Sequence, residues 1–513
     1  MTSFEHPQAQ VVKSRARRLV ILAICSMSLL MIGMDSTIVN VALPAIHRAL
    51  RAPLSGLQWT VDAYTLVLAS LLMVSGSTAD RLGRRRVFQF GLAVFSVGSL
   101  ACGLAPSLTA LIAARVLQAI GGSMLNPVAM SIIRNVFVDP RERARAIGLW
   151  GAVFGISTAL GPVVGGALID AVSWRAVFMV NVPIGAIGLV LTALYVPESR
   201  APRPRRLDPM GQLLVIVALG TLTYALIGAP SAGWASWRTL ALGALAILAL
   251  GALVAWELRR SEPLLEMRFF KSAPFAAASA IAVALFVALG GFLFLNTLYL
   301  QEVRGLSPLH AGLYTLPMAG LMVLAAPLAG VMVAARGTRA PIVSGGLALI
   351  AGGLIMTRLD AHTPLGVLFS AYVLFGFGAG LLGPPITNTA ITGMPPSQAG
   401  VAGAVASSSR QIGQTIGVAL LGALAGGGAD RVSRAFPQAT HPSWWIVAAL
   451  GACIACLGLL STTAWARASA RRTAQRLAEP SEAAPAARPA APSPLSPLPA
   501  ARAPSPQPPA ARR

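Results

Sequence analysis

Four ionisable side chains stand where the surrounding residues are apolar: Asp35, Asp62, Arg115 and Arg410. An ionised group inside a bilayer costs several kcal/mol, so such a residue faces a cavity or a partner and marks a path for ions, protons or substrate. Asp35 lies about eleven residues into its apolar run, or roughly 16 Å at 1.5 Å per residue, near the middle of a membrane. A carboxyl group there can take up and release a proton; the alternative is a structural acid paired with Arg or Asn. Asp62 is expected about one turn from a surface, where a solvated interfacial role competes with that of an outer proton relay or a contact for a cation. Arg115, about two turns deep, either snorkels outward or turns inward. Arg410, roughly 14 Å from its nearer helix end, lies too deep to snorkel easily. It needs Asp35, a backbone carbonyl or a substrate as partner.

The elements that must position these side chains are membrane helices. The chain of 513 residues is 55% apolar and 11% charged, against roughly 45–50% and about 25% in soluble domains. Spanning the hydrocarbon takes roughly 20 apolar residues. Fourteen such stretches are predicted, at approximately 19–43, 59–79, 87–105, 108–133, 146–170, 174–196, 211–229, 238–257, 275–300, 309–335, 340–358, 364–392, 401–426 and 443–466. No small-residue cleavage site follows the first, which is expected to remain as helix 1.

A net charge of +23 would suit a nucleic-acid partner, but the placement of the basic residues excludes one. Lys13, Arg15, Arg17 and Arg18, then Arg81, Arg84, Arg85 and Arg86, then Arg134, Arg141, Arg143 and Arg145 fall in alternate loops. That bias orients both termini toward the cytoplasm. The four cysteines (Cys25, Cys102, Cys453, Cys456) fall within apolar spans, so neither a disulfide framework nor a metal site is expected. The histidines lie outside the apolar centres, which argues against a histidine relay.

The two ends of the chain match weakly at a nearly constant offset of about 255 residues, as duplicated transporter halves do. Gly76 and Gly83 match Gly330 and Gly337, Asn40 matches Asn296, Pro127 matches Pro384 and Gly161 matches Gly417. The predicted organisation is a cytoplasmic segment 1–18, a six-helix bundle 19–196, a linker 197–271 carrying two inserted helices, a second six-helix bundle 272–466 and a disordered Pro/Ala/Arg-rich tail 467–513. Gly291 or a neighbour takes the place of Asp35 in the second half, so proton chemistry should concentrate in the first.

The loop after helix 2 contains Gly76, Asp80, Arg81, Gly83, Arg84, Arg85 and Arg86 in the pattern GxxxDRxGRR. Glycine permits a tight turn and close helix approach, and arginine complements the negative end of a helix dipole. Helix 5 carries Gly161, Pro162, Gly165 and Gly166, small residues that let helices approach and a proline that bends one. The loop resembles the signature of the major facilitator superfamily, and the GPxxGG run resembles the motif associated with its antiporters. The stretches around Met34–Pro44, Trp59–Tyr64, Trp174–Pro183 and Arg410–Gly413, with Arg115 and Gln118 to Gly122 in helix 4, resemble its fourteen-spanner drug:proton antiporters. Ala119 stands where that family usually has Gly.

The resemblance covers roughly residues 20–465. It implies an all-α polytopic major facilitator fold of two six-helix bundles plus two inserted helices. It also implies a proton-coupled antiporter of the multidrug efflux type in the bacterial inner membrane, exporting lipophilic compounds, cationic ones among them, by alternating access. In that family the signature loop latches the cytoplasmic gate. Protons, a small-molecule substrate and the lipid bilayer are the expected partners. No cofactor is expected, and no GxxxxGK[ST] loop is present to bind nucleotide. An exporter dedicated to one endogenous antibiotic or siderophore shares every motif. A membrane enzyme would need clustered catalytic residues, which are not found, and a non-transporting receptor would leave Asp35 and Arg410 unexplained.

Overall fold

The structure, a computed structural model, describes residues 14–201, 207–260, 263–392, 399–426 and 435–478. Among these, thirteen helices are long and apolar enough to cross a bilayer. They are α1 (Arg15–Leu50), α2 (Leu54–Leu82), α3 (Arg84–Leu104), α4 (Leu108–Val136), α5 (Pro140–Ala171), α6 (Ala176–Tyr195), α7 (Pro209–Ala232), α8 (Trp237–Glu257), α9 (Ala273–Val303), α10 (Pro308–Arg336), α11 (Arg339–Met356), α12 (Leu365–Ile391) and α14 (Phe436–Ser461). The remaining predicted span is α13 (Ala399–Ala425), whose polar run from Ser407 to Gln414 makes it less apolar than its neighbours. A helix satisfies its backbone internally, which hydrocarbon demands. Side chains close several first turns: Ser107 accepts from Ala110 N, and Asp139 from Arg141 N and Glu142 N ahead of Pro140.

The helices outrun their predicted limits. α1 has 36 residues and α5 has 32, so both project beyond a hydrocarbon core of about 30 Å. At the arginine-rich end their extensions meet, with Arg18 Nη1 2.6 Å from Glu142 Oε2. α6 is interrupted at Val180, between Ala176–Met179 and Asn181–Tyr195. Residues 467–478, expected to be disordered, continue as α15 (Ala464–Ala478). Alanine, arginine, glutamine and leucine in this stretch favour helix, and the prolines that suggested disorder begin only at Pro480. The predicted N-terminal segment through residue 13, parts of the linker and the tail beyond 478 lie outside the described residues.

Helix pairing repeats between the two ends of the chain. α1 packs on α5, α2 and α3 on α4, and α3 on α6; correspondingly α9 packs on α13, α10 and α11 on α12, and α11 on α14. The loops carrying Gly83 and Gly337 turn at φ +115° and +79° respectively, a conformation glycine adopts without a Cβ penalty. The inserted α7 and α8 pack on each other, and α7 docks on α2 and α13, where Gln212 Nε2 donates to Ser70 O at 2.8 Å.

The halves meet along α2 with α13 and along α5 with α10. The second seam tapers. Away from the arginine-rich end, Gly166 abuts the backbone of Pro308 and Leu309, Gly312 abuts the Pro162 carbonyl, and Asp170 Oδ2 accepts from Leu309 N at 3.0 Å. Nearer the arginine-rich end, among the described residues, an added Cβ on Gly155 would meet only Val323, and one on Gly148 or Gly151 would meet nothing within 4 Å. α5 and α10 therefore converge at the far end and part at the arginine-rich end.

Candidate functional site

Asp35 is fully buried near the middle of α1. Its Oδ2 lies 2.7 Å from Arg115 Nη1, while its Oδ1 accepts from Gln118 Nε2 at 2.8 Å and from Asn181 Nδ2 at 3.2 Å. Arg115 and Gln118 stand one turn apart on α4, the spacing that puts two side chains on one helix face. Asn181 opens the second segment of α6, so the interruption at Val180 places an amide against the carboxylate.

The cation is held as closely as the anion. Arg115 is 1% exposed. Its Nη1 also donates to Gln118 Oε1 at 2.7 Å and its Nε to Thr60 O at 3.1 Å, with the guanidinium 4.1 Å from the Tyr64 ring centroid and 5.7 Å from that of Phe178. Gln118 Nε2 donates further to Ser99 Oγ at 2.7 Å. α1, α2, α3, α4 and α6 thus meet around one charge pair. Arg115 turns inward rather than snorkelling, since Asp35 and the Thr60 carbonyl supply what water would.

Asp62 does not sit at a solvated interface. α2 begins at Leu54, which adds helix outward of the predicted start, and Asp62 is completely buried. Its Oδ1 is 3.5 Å from Thr65 Oγ1, and its Oδ2 has no hydrogen-bond partner among the described residues. On the same face of α2, Gln58 Nε2 donates to the carbonyls of Val418 and Ala419 at 3.1 and 2.9 Å, and Thr65 meets Thr415 at 2.9 Å. Asp62 therefore belongs to the seam between the halves.

Arg410 joins neither acid. Its Nη2 donates to Thr387 Oγ1 at 2.9 Å across α13 and α12, so its partner among the described residues is a hydroxyl rather than Asp35 or a backbone carbonyl. In the second half, Gly291 packs against Leu421. Beside it Phe292 contacts Phe375, Tyr372 and Trp444 at centroid distances of 4.5, 5.4 and 5.9 Å, and Tyr372 donates to Asn296 Oδ1. An aromatic core stands where the first half has its charge network.

The signature loop bonds within itself, to the end of α6 and to the start of the linker. Asp80 Oδ1 accepts from Arg84 Nε and Nη2 at 3.1 and 2.9 Å. Arg84 N donates to Ser199 O at 2.9 Å, Ala201 N to Asp80 O at 3.1 Å, Arg85 N to Glu198 Oε1 at 3.1 Å and Arg85 Nη2 to Ala193 O at 2.7 Å. Arg81 ends α2. A Cβ on Gly83 would fall 2.6 Å from Glu198 Oε1, whereas Gly76 has room, with Pro127 Cβ at 3.8 Å. In the helix 5 motif, Gly161 packs on Thr37 and Gly165 on Ile38 of α1, while Pro162 and Gly166 face α10. One motif therefore fits two neighbours. Gln118, Asn181, Tyr64 and Thr60 fall inside the family-like stretches but have no role legible there, and Ser99 carries no signal in the sequence, since a hydroxyl is common in such helices.

A sequence profile described as the Major Facilitator Superfamily matches residues 25–418. The chain is 40% identical over 407 residues to "Multidrug resistance protein Stp" of Mycobacterium tuberculosis (strain ATCC 25618 / H37Rv), covering 79% of this chain and 76% of that one. It is 38% identical over 414 residues to "Tetracenomycin C resistance and export protein" of Streptomyces glaucescens, covering 80% and 76%. Its fold is similar to that of a bacterial homolog of the human lysosomal transporter Spinster, with a TM-score of 0.58 at 17% identity over 90% of this chain and 98% of that one.

Proposed function

The chain belongs to the major facilitator superfamily of membrane transporters, and from that membership we propose that it exports lipophilic compounds, cationic ones among them, in exchange for protons. The observation that carries the coupling is the buried Asp35–Arg115 pair. A proton reaching Asp35 cancels its charge and leaves the Arg115 cation with only neutral acceptors, Gln118 Oε1 and Thr60 O. Since losing one partner of a buried ion pair costs about 3–5 kcal/mol, protonation favours a rearrangement of α1 against α4 that supplies a new partner for the cation. Asp62 Oδ2, buried in the seam with no hydrogen-bond partner among the described residues, serves as the outer relay or as the contact for a cationic substrate. Arg410 lines the second half's side of the path.

Orientation follows from charge. The arginine-rich loops belong in the cytoplasm of a bacterium, with both termini inside the inner membrane. The parting of α5 from α10 at that end then gives a state open to the cytoplasm and closed outside. The signature loop, with Asp80 paired to Arg84 and Arg85 to Glu198 and Ala193, is the cytoplasmic latch in this reading and is remade as the path changes sides.

Proteoliposomes with an imposed pH gradient test this reading. Wild type should move protons only when substrate is present, and Asp35→Asn should retain substrate binding while losing the proton flux. Equal proton-driven transport by Asp35→Asn at every pH would remove Asp35 from the coupling. The Streptomyces relative, named for one antibiotic, favours a second reading, a dedicated exporter of one metabolite. A panel of dyes and drugs separates the two, because a dedicated exporter leaves most of the panel untouched.

A further inference from the structure

The linker and the C-terminal helix meet in a cleft that the transport path does not use. A 3₁₀ turn at Met267–Lys271 leads into α9, and α15 lies against both, with Ser469 Oγ accepting from Ala273 N at 3.0 Å. Between turn and helix opens a cleft of about 230 Å³ lined by Arg268, Lys271, Thr473, Arg476 and Leu477. Three cations converge there. Among the described residues, the carboxylate that pairs with one of them is Glu266, whose Oε1 lies 3.7 Å from Arg268 Nε. The Thr473 hydroxyl makes no side-chain hydrogen bond among the described residues, and Thr473 lines the cleft.

We propose that this cleft binds the phosphate headgroup of an anionic phospholipid. The phosphate supplies counter-charge to a lining that, among the described residues, holds three cations beside one carboxylate, and its oxygens accept from guanidinium, ammonium and hydroxyl together. The depth selects a lipid over free phosphate. Lys271 stands two residues before α9 begins, at the hydrocarbon boundary, and Leu477 gives the cleft an apolar wall. α15 buries Ala466, Ser469, Ala470 and Thr473 against the protein, while Arg467, Arg471 and Arg472 stay exposed and Trp465, 66% exposed, begins the helix as an interfacial anchor. Basic residues at such a surface attract anionic lipids. A bound headgroup would hold the linker, α9 and α15 together at the point where the second half begins.

The chain has only two lysines, Lys13 and Lys271, so amine acylation read by mass spectrometry reports the cleft with an internal reference. Full-length protein is placed in nanodiscs of phosphatidylcholine, with or without phosphatidylglycerol. The anionic lipid should slow acylation of Lys271 relative to Lys13 roughly tenfold, and the double variant Arg268→Gln/Arg476→Gln should lose that protection. The charge-keeping pair Arg268→Lys/Arg476→Lys, with its own lysines resolved by peptide mass, should retain it. Equal slowing of both lysines would mean a general surface potential and overturn the site. Protection by inorganic phosphate in phosphatidylcholine discs, equal to that by the lipid, would overturn the lipid as ligand.

Discussion

Asp35 and Arg115 could be singled out as charges in apolar runs, but not as partners of each other. Each was visible because an ionisable residue in an apolar run is rare; which faces met depends on helix rotation, which one sequence does not encode. Arg410 shows the same limit, since Thr387 has no sequence mark that distinguishes it from other threonines. The geometry makes Arg115→Lys a severe change. A lysine cannot span Asp35, Gln118 and Thr60 O at once as the guanidinium fork does. Proton-driven uptake into everted vesicles should fall at least about tenfold, with membrane expression near wild type. Asp35→Asn should lower stability by about 3–5 kcal/mol because it strands a buried cation. Asp35→Asn/Arg115→Gln should recover most of that loss in a detergent thermal melt while leaving coupling abolished. A double variant no more stable than the single one would mean that the pair is not energetically linked.

Helix number and motif placement were readable at the scale of the element, because apolar length is a strong signal in a bilayer protein. The ends were not. α1 and α5 run past the hydrocarbon, α6 breaks at Val180, and α15 was hidden by the proline-rich composition that follows it. The glycines separate into two kinds that sequence alone does not distinguish. Gly83→Ala should cost about 1–3 kcal/mol, since it forces a side chain to φ +115° and pushes on Glu198. Gly151→Ala, with open space around it, should leave the melting temperature unchanged or raise it slightly. A melt in which the two alanines behave alike would contradict this division.

Duplication was legible across the whole molecule from a handful of matched glycines, prolines and asparagines, and the repeated pairing of α1 with α5 and α9 with α13 gives it physical form. The docking of α7 on both α2 and α13 was not legible, because an apolar helix carries no label for its neighbour. The tapering seam predicts a pattern of access. Cysteines introduced at Gly148 or Gly151 should react with a membrane-impermeant maleimide added from the arginine-rich side, and one at Gly155 more slowly. If all three are equally shielded, the halves do not part there in the resting protein.

The closed end of that seam has a consequence for speed. Gly166 lies on the backbone of Pro308 and Leu309, and Gly312 on the carbonyl of Pro162, so main chain meets main chain with almost no side chains between. Ordering a long side chain costs up to about 2 kcal/mol of rotamer freedom each time it is fixed, and a contact surface without rotamers is spared that toll at every closure. Opening and shutting this end then resembles two smooth rails sliding into register rather than a lock whose pins must be reset, which suits a protein that repeats the motion once per molecule moved.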